Sequence, residues 1–359
     1  MAGRRQRYGY REYHGRGNGR SVLIFIIVLL AVLFIAGVVF MAIMGEYINY
    51  TPNGMEINWP WLNQESSDQP VFSDPVVIET GGMGDPGTPD YAPWSGGAYG
   101  PLAAVTVTAG QLRNGKAAQA VVTAGGDTLV VEMKTTAGKL AWQSRTELAA
   151  SLDVNAANNG VADAIRELAR DGGLYLVARV HCFKDPVLAG AGIGPLMTQR
   201  GEVWNDSYGA SWSSPASQQA ADYLSALCQE LADMGFDEIL LDDAGYPCLG
   251  EVDTLATDSN CPEDRTAPVA TFLQRIAGEL SERDVRLSVY AYEELTSGDA
   301  VYSGMTSTVL ARNAGRVWLD RNVDRAYYES ILSAAGLDNL SGRVVAHAAN
   351  AVEGGSWYQ

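Results

Sequence analysis

The sequence predicts an α/β fold, a TIM-type (β/α) barrel carried behind one transmembrane helix and a disordered tether. Three observations carry that expectation. From residue 101 onward, short Val/Ile/Leu-rich runs alternate with stretches of helical period, the signature of parallel βα units. The runs show little polar–apolar alternation, as strands buried on both faces should. The alternation spans about 260 residues, a length that suits a barrel. No G-x-G-x-x-G follows the first run and no Walker A motif is present, so a doubly wound nucleotide-binding sheet loses its best support.

The elements begin with a basic cytoplasmic arm, residues 1–21. The 359-residue chain has a formal net charge of −17, yet Arg4, Arg5, Arg7, Arg11, Arg16 and Arg20 face only one acid, Glu12, in the first 20 residues. The acidic remainder excludes nucleic acid as a partner, because phosphates call for clustered Lys and Arg. Residues 22–44 follow, a run of 23 without a charge. At about 1.5 Å per residue a helix there reaches roughly 34 Å, enough to cross a hydrocarbon core of about 30 Å. The run is longer than a signal-peptide apolar region and no A-x-A-like site closely follows Met44, so an uncleaved signal anchor in a lipid bilayer is expected. The arginines keep the N-terminus cytoplasmic and the bulk of the chain outside. Residues 45–100 hold seven of the 14 prolines, many Gly and Ser, and no base. They read as a disordered or extended tether spanning about 40 Å on average.

The remainder, 101–359, is the expected barrel. Candidate strands are 103–108, 128–134, 174–183, 238–243, 286–292, 316–320 and 343–349; candidate helices are 116–124, 159–170, 215–234, 267–283, 303–311 and 324–335. In the clearest helix Ala220, Tyr223, Leu224, Leu227 and Leu231 form an apolar stripe. Ser214 is its expected N-cap, Pro215 its first residue and Gly235 its stop. No eighth strand is evident, so the barrel is expected to be truncated or irregular at its last strand.

In such a barrel the reactive positions are the strand ends and the loops after them. Read in order, these positions supply Glu132 and Lys134; Arg179, His181 and Asp185; Asp242 and Asp243; Glu293 and Glu294; Asp320; and His347. Glu132, Arg179 and Asp242 follow apolar stretches, where a charge needs a partner. Arg179 is expected to pair with Glu132 or Asp242. The long loop 184–214 adds Trp204, Tyr208 and Trp212, whose faces suit sugar rings. No metal or other cofactor is expected: the three His are His14, His181 and His347, with no H-E-x-x-H and no C-x-x-C.

Four segments carry a family resemblance: VVEMK (130–134), YLVARVHCFKD (175–185), WSSP followed by DY (212–215, 222–223) and GFDEILLDDAGYP (235–247). In order and spacing they resemble the putative glycoside hydrolase domain family of bacterial envelope proteins, distant kin of the amylase-type barrels. The family pattern has D-x-K where this chain has Glu132 and Lys134. Asp243 and Gly245 replace its aromatic and Arg after Asp242, and Tyr290 stands where it has an Asp. The resemblance implies that Asp242 is the reactive carboxylate.

Glycoside hydrolysis needs one protonated and one ionised carboxyl group. Asp242 is expected to be the ionised one, with Arg179 lowering its pKa. Glu294 or Glu293 would be the acid, with Glu132 in reserve. Arg179, Lys134, His181, Asp185, Trp204, Tyr208, Trp212, Asp243, Asp320 and His347 would bind substrate, an envelope glycan or oligosaccharide. Two other readings stay open, a non-catalytic carbohydrate-binding barrel and a structural or partner-binding ectodomain in envelope assembly. Oligomeric state is not legible. Cys248 and Cys261 bracket a polar loop with little apolar content to order it. A Cys248–Cys261 bridge is expected there, worth roughly 3 kcal/mol by chain entropy in an oxidising compartment.

Overall fold

Seven of the expected strands form where the apolar runs place them, and an eighth closes the ring. The computed structural model describes residues 48–51, 54–57, 99–293, 300–348 and 355–359. The barrel strands are β3 (Ala103–Val107), β4 (Thr128–Lys134), β5 (Tyr175–His181), β6 (Glu238–Asp242), β7 (Arg286–Ala291), β8 (Arg316–Leu319), β9 (Val344–His347) and β10 (Ser356–Tyr358). All neighbours are parallel, and β10 pairs with both β9 and β3 to close the barrel. The expectation of a truncated or irregular closure is therefore corrected. Ser356-Trp357-Tyr358 is too short to show a periodicity of its own, and its pairing with Val345–His347 and Ala103–Ala104 makes it a strand.

Side-chain alternation along each strand sorts the wall into two faces. Outward residues pack under the helices. Inward residues stack in layers, as in barrels of this type. The middle layer is apolar, one residue per strand: Ala104, Val130, Val177, Leu240, Tyr290, Trp318, Val345 and Tyr358 meet in one cluster. Two residues toward the N-terminal ends the inward set turns polar: Glu238 accepts from Trp318 Nε1 (3.1 Å), Tyr175 Oη (3.0 Å), Ser288 Oγ and Arg316 Nη1. Below it Arg286, Arg316 and Arg343 surround the Tyr99 ring at 4.9–5.4 Å. Gly315 is required beside that ring, since a Cβ there would lie 2.2 Å from Tyr99 Oη. Two residues the other way lies a second polar layer, Glu132, Arg179 and Asp242, at the C-terminal ends.

The helix expected over 215–234 runs Gln218–Met234, capped by Ser217, whose side chain accepts from Ala220 N. Ser214 is not the cap, because its hydroxyl accepts from Ala216 N (2.9 Å) and donates to Asn260 O, tying two loops. Gly235 ends the helix in a left-handed conformation, φ 107°.

Two compact units divide the chain, Met1–Gly84 and Asp85–Gln359. In the first, β1 (Ile48–Thr51) and β2 (Gly54–Ile57) form an antiparallel hairpin with Thr51 opposite Gly54. These two short strands fall within 45–100 and contain Ile, Tyr and Thr, residue types that suit an extended chain. The transmembrane helix expected at 22–44 and the arm before it lie outside the described residues. Among the described residues no helix is long and apolar enough to cross a membrane.

Candidate active site

The upper polar layer is built by three adjacent strands. Parallel register sets Glu132 beside Arg179, and His181 beside Asp242. Arg179 donates from Nε to Asp242 Oδ2 at 2.8 Å, and its Nη2 reaches the same oxygen. Asp242 Oδ1 accepts from Tyr292 Oη (2.6 Å) and from Asp243 N (2.8 Å). Asp242 is 0% exposed. Burial alone would raise its pKa; the Arg179 and His181 charges and the Tyr292 hydrogen bond overcome this and hold it below the usual carboxylate range. The Arg179 pairing left open by the sequence thus falls to Asp242, not Glu132.

Asp243 behaves differently. It adopts a left-handed backbone, φ 49°, which Asp tolerates better than most residues, and its side chain lines the cleft. Burial and then the Asp242 charge raise its pKa. His181 stands between carboxylates: Nδ1 is 2.7 Å from Asp243 Oδ2 and 3.5 Å from Asp242 Oδ2, and Nε2 is 3.1 Å from Glu132 Oε1. Burial opposes its charge, but hydrogen bonds to Asp243 and Glu132 and the charge of Asp242 push it up to about 9.

That shift gives a pH-stability prediction. His181 gains proton affinity on folding, so its contribution is complete below about pH 6.5 and is lost as pH rises through about 9; the raised Asp243 has the same sign. Unfolding free energy is expected to fall by up to about 3 kcal/mol across that window. Denaturant unfolding at pH 6, 7.5 and 9.5 checks it, and an unchanged or rising stability would contradict the charge assignment.

The ligand atoms of His181, Asp242 and Asp243 lie within 4.8 Å of one another. They do not form a cation cradle. Both imidazole nitrogens already face carboxylates, and an ion against Asp242 Oδ2 would meet the Arg179 guanidinium.

The cleft above them encloses about 440 Å³. Tyr208, Trp212, Tyr246, Tyr290, Tyr292 and Met305 supply its apolar walls; Lys184, Asp206, Asp243, Glu293 and Asp320 its ionisable groups. Tyr290 donates to Asp320 Oδ1 (3.0 Å) and carries the Arg179 guanidinium over its face at 4.6 Å. Lys184 pairs with Asp206 at 2.8 Å beneath Tyr208 and Trp212. Gly245 in the Asp-Asp-Ala-Gly turn admits no side chain: a Cβ would lie 2.5 Å from Ser303 O. The Arg that the family pattern places there has no room in this backbone.

Several expected substrate-binding residues serve other ends. Lys134 and Asp185 form a fully buried ion pair at 2.7 Å. Lys134 also donates to His181 O (2.7 Å), and Asp185 caps the helix Pro186–Gly190. They fix the end of β5 and cannot reach a ligand. Trp204 is buried, with Nε1 on Glu251 O (3.1 Å), so it pins the loop. His347 packs edge-on against Tyr358 (5.2 Å) outside the cleft lining. Asp242 and Glu132 are also outside that lining. Glu293 lines the cleft, and Glu294 lies outside the described residues. The Cys248–Cys261 bridge is corrected too, since Cys261 is a buried free thiol. Its loop is ordered without a crosslink by Asp258, which accepts from Asn260 N and Cys261 N, and by the Thr198–Leu255 bridge. Lys184, Asp206 and Tyr292 also line the cleft, outside the expected set. Only Tyr292 had a signal, its two-residue spacing from Tyr290.

A closed parallel barrel with carboxylates in an aromatic-walled cleft at its C-terminal mouth defines a carbohydrate-active barrel. The chain belongs to the family described as "Putative glycosyl hydrolase domain", whose model matches residues 104–309. Among solved structures it is similar to a hypothetical protein from Ruminiclostridium thermocellum ATCC 27405, at 21% identity over 52% of this chain and 96% of that one (TM-score 0.45). It is also similar to the PgaB (BpsB) glycoside hydrolase domain from Bordetella bronchiseptica, at 12% identity over 68% and 83% (TM-score 0.50). The latter likeness is one of fold. No curated protein matches the chain.

Proposed function

We propose that the chain is a membrane-anchored, extracytoplasmic glycoside hydrolase that acts on cell-envelope polysaccharide by carboxylate acid/base chemistry. One observation carries this reading. Of two consecutive carboxylates, Asp242 is sealed in the wall by Arg179 and Tyr292 with its pKa lowered, while burial and the Asp242 charge raise that of Asp243 at the cleft, the direction of separation such hydrolysis requires. Asp243 is assigned the general acid. Glu293 or Asp320, both lining the cleft, is assigned the opposing base or nucleophile, and Asp242 the fixed charge that shapes both Arg179 and Asp243. Trp212 and Tyr208 offer faces to sugar rings.

The test is a screen of the full-length protein in detergent against peptidoglycan and common polysaccharides, with Asp243→Asn as control. Loss of the acid is expected to lower turnover by about 10²–10⁴-fold while leaving sedimentation with the same polysaccharide intact. Turnover undiminished in the variant would remove Asp243 from the mechanism. A second reading, a non-catalytic sugar-binding barrel, is favoured by the sealing of Asp242 under Arg179 and Tyr292. It expects binding without turnover in both proteins.

The anchored topology rests on the uncharged run 22–44 and the arginines before it. Protease added to intact cells is expected to release a fragment containing 101–359 by cutting within 45–100. A fragment protected until the cells are lysed would place the barrel inside.

A further inference from the structure

The geometry points to Glu132 as a positioning residue that, through His181, governs the charge of the cleft carboxylate Asp243. Its catalytic use rests on the hydrolase reading above; the electrostatic device does not. Three adjacent strands bring carboxylate, imidazole and carboxylate into a row. Glu132 Oε1 stands 3.1 Å from Nε2, and Asp243 Oδ2 2.7 Å from Nδ1. A neutral imidazole carries one N–H and can donate to only one of these groups, whereas the imidazolium donates to both. The 2.7 Å contact has the length of a charge-assisted bond.

The ring is held for this task from behind. Lys134 donates to His181 O, and its charge is taken up by Asp185. The charged and titratable groups around the imidazole are Glu132 and Lys134 from β4, Arg179 and Lys184 from β5 and its loop, Asp242 and Asp243 from β6, and Tyr292 after β7. Arg179 is engaged with Asp242, and Lys184 with Asp206. Asp243 is therefore left with His181 as its ion-pair partner among the described residues. Glu132 alone in the row is open to water, 47% exposed, so its charge can be removed without opening the core. Without that charge the imidazolium is less favoured, and once His181 is neutral Asp243 faces the Asp242 charge with weaker compensation.

The chain has only three histidines, which makes the test direct. Full-length protein labelled with ¹⁵N-histidine, in detergent micelles, is titrated from pH 5 to 10 by NMR, with His181→Asn to assign the signal. The wild-type His181 ring is expected to keep both protons beyond pH 8. In Glu132→Gln its midpoint is expected to fall by at least one pH unit, a tenfold loss of proton affinity, with the other two histidine signals as internal references. Glu132→Asp, which keeps the charge one methylene further away, is expected to fall between. In ¹³C-carboxyl-labelled Glu132→Gln, the Asp243 midpoint is expected to rise. A His181 ring that titrates below pH 7 in the wild type, or a midpoint unmoved by Glu132→Gln, overturns the inference. No substrate enters the measurement: failure to cleave any polysaccharide would count against the hydrolase reading and leave these titrations to stand or fall alone.

Discussion

Asp242→Ala is expected to destabilise the barrel by about 3–5 kcal/mol, the cost of leaving one member of a buried ion pair without its partner. Arg179, one quarter exposed, can regain some hydration, which favours the lower part of that range. The variant strips Arg179 of both its contacts to Asp242, Tyr292 Oη of its acceptor and Asp243 N of its cap. The Arg179 charge would remain against the Tyr290 face, which compensates little. Urea unfolding of wild type and variant checks this, with an unchanged m-value showing that the same surface unfolds. A loss below about 1 kcal/mol, the range of exposed pairs, would mean that water reaches Arg179 freely. The result also bears on activity measurements. Any turnover missing from Asp242 variants would reflect lost structure, so Asp243→Asn is the cleaner probe of the proposed chemistry.

Glu238→Ala should cost as much, at the other pole of the barrel. Glu238 is fully buried and accepts from four donors, and Arg316, its ionic partner, is 2% exposed. Truncation takes this acceptor from a buried guanidinium, an indole N–H and two hydroxyls, again about 3–5 kcal/mol. Glu238→Gln keeps the shape but not the charge and is expected to recover part of the loss, read as a partial return of the urea midpoint. Because the cleft lies two layers above, at the opposite ends of the strands, glycan binding by the folded fraction should be unaffected. Altered binding at matched folded fraction would show that the poles are coupled through the apolar middle layer.

Much of this architecture was legible in local pattern. Seven strands could be read as apolar runs because a wall buried on both faces keeps its middle positions apolar and confines polar residues to the two ends. The stop of the helix at Gly235 was legible because a left-handed C-cap needs a glycine. The eighth strand was not, since three residues carry no period, and the Ser214 cap failed because a loop carbonyl at Asn260 claims its hydroxyl. At the site, the polar strand ends stood out one by one, and the need to compensate a buried charge pointed Arg179 to Glu132 or Asp242 without choosing between them. Lys134 and Asp185 looked equally reactive, yet they neutralise each other beneath the surface. Trp204 and Trp212 were indistinguishable in sequence, and only the second reaches the cleft.

What the sequence by itself determined is what neighbours along the chain can determine: which segments are extended or helical, where helices end, and which strand ends carry ionisable groups. Which of those groups face each other was decided only by closure of the barrel. Arg179 and Asp242 are 63 positions apart, and Glu238 and Arg316 are 78 apart, distances over which no local periodicity persists. The states of Asp242 and Asp243 differ for the same reason. They are consecutive and chemically identical in sequence; a positive φ at Asp243 and the guanidinium brought across from the neighbouring strand leave one sealed in the wall with its pKa lowered and the other at the cleft with its pKa raised.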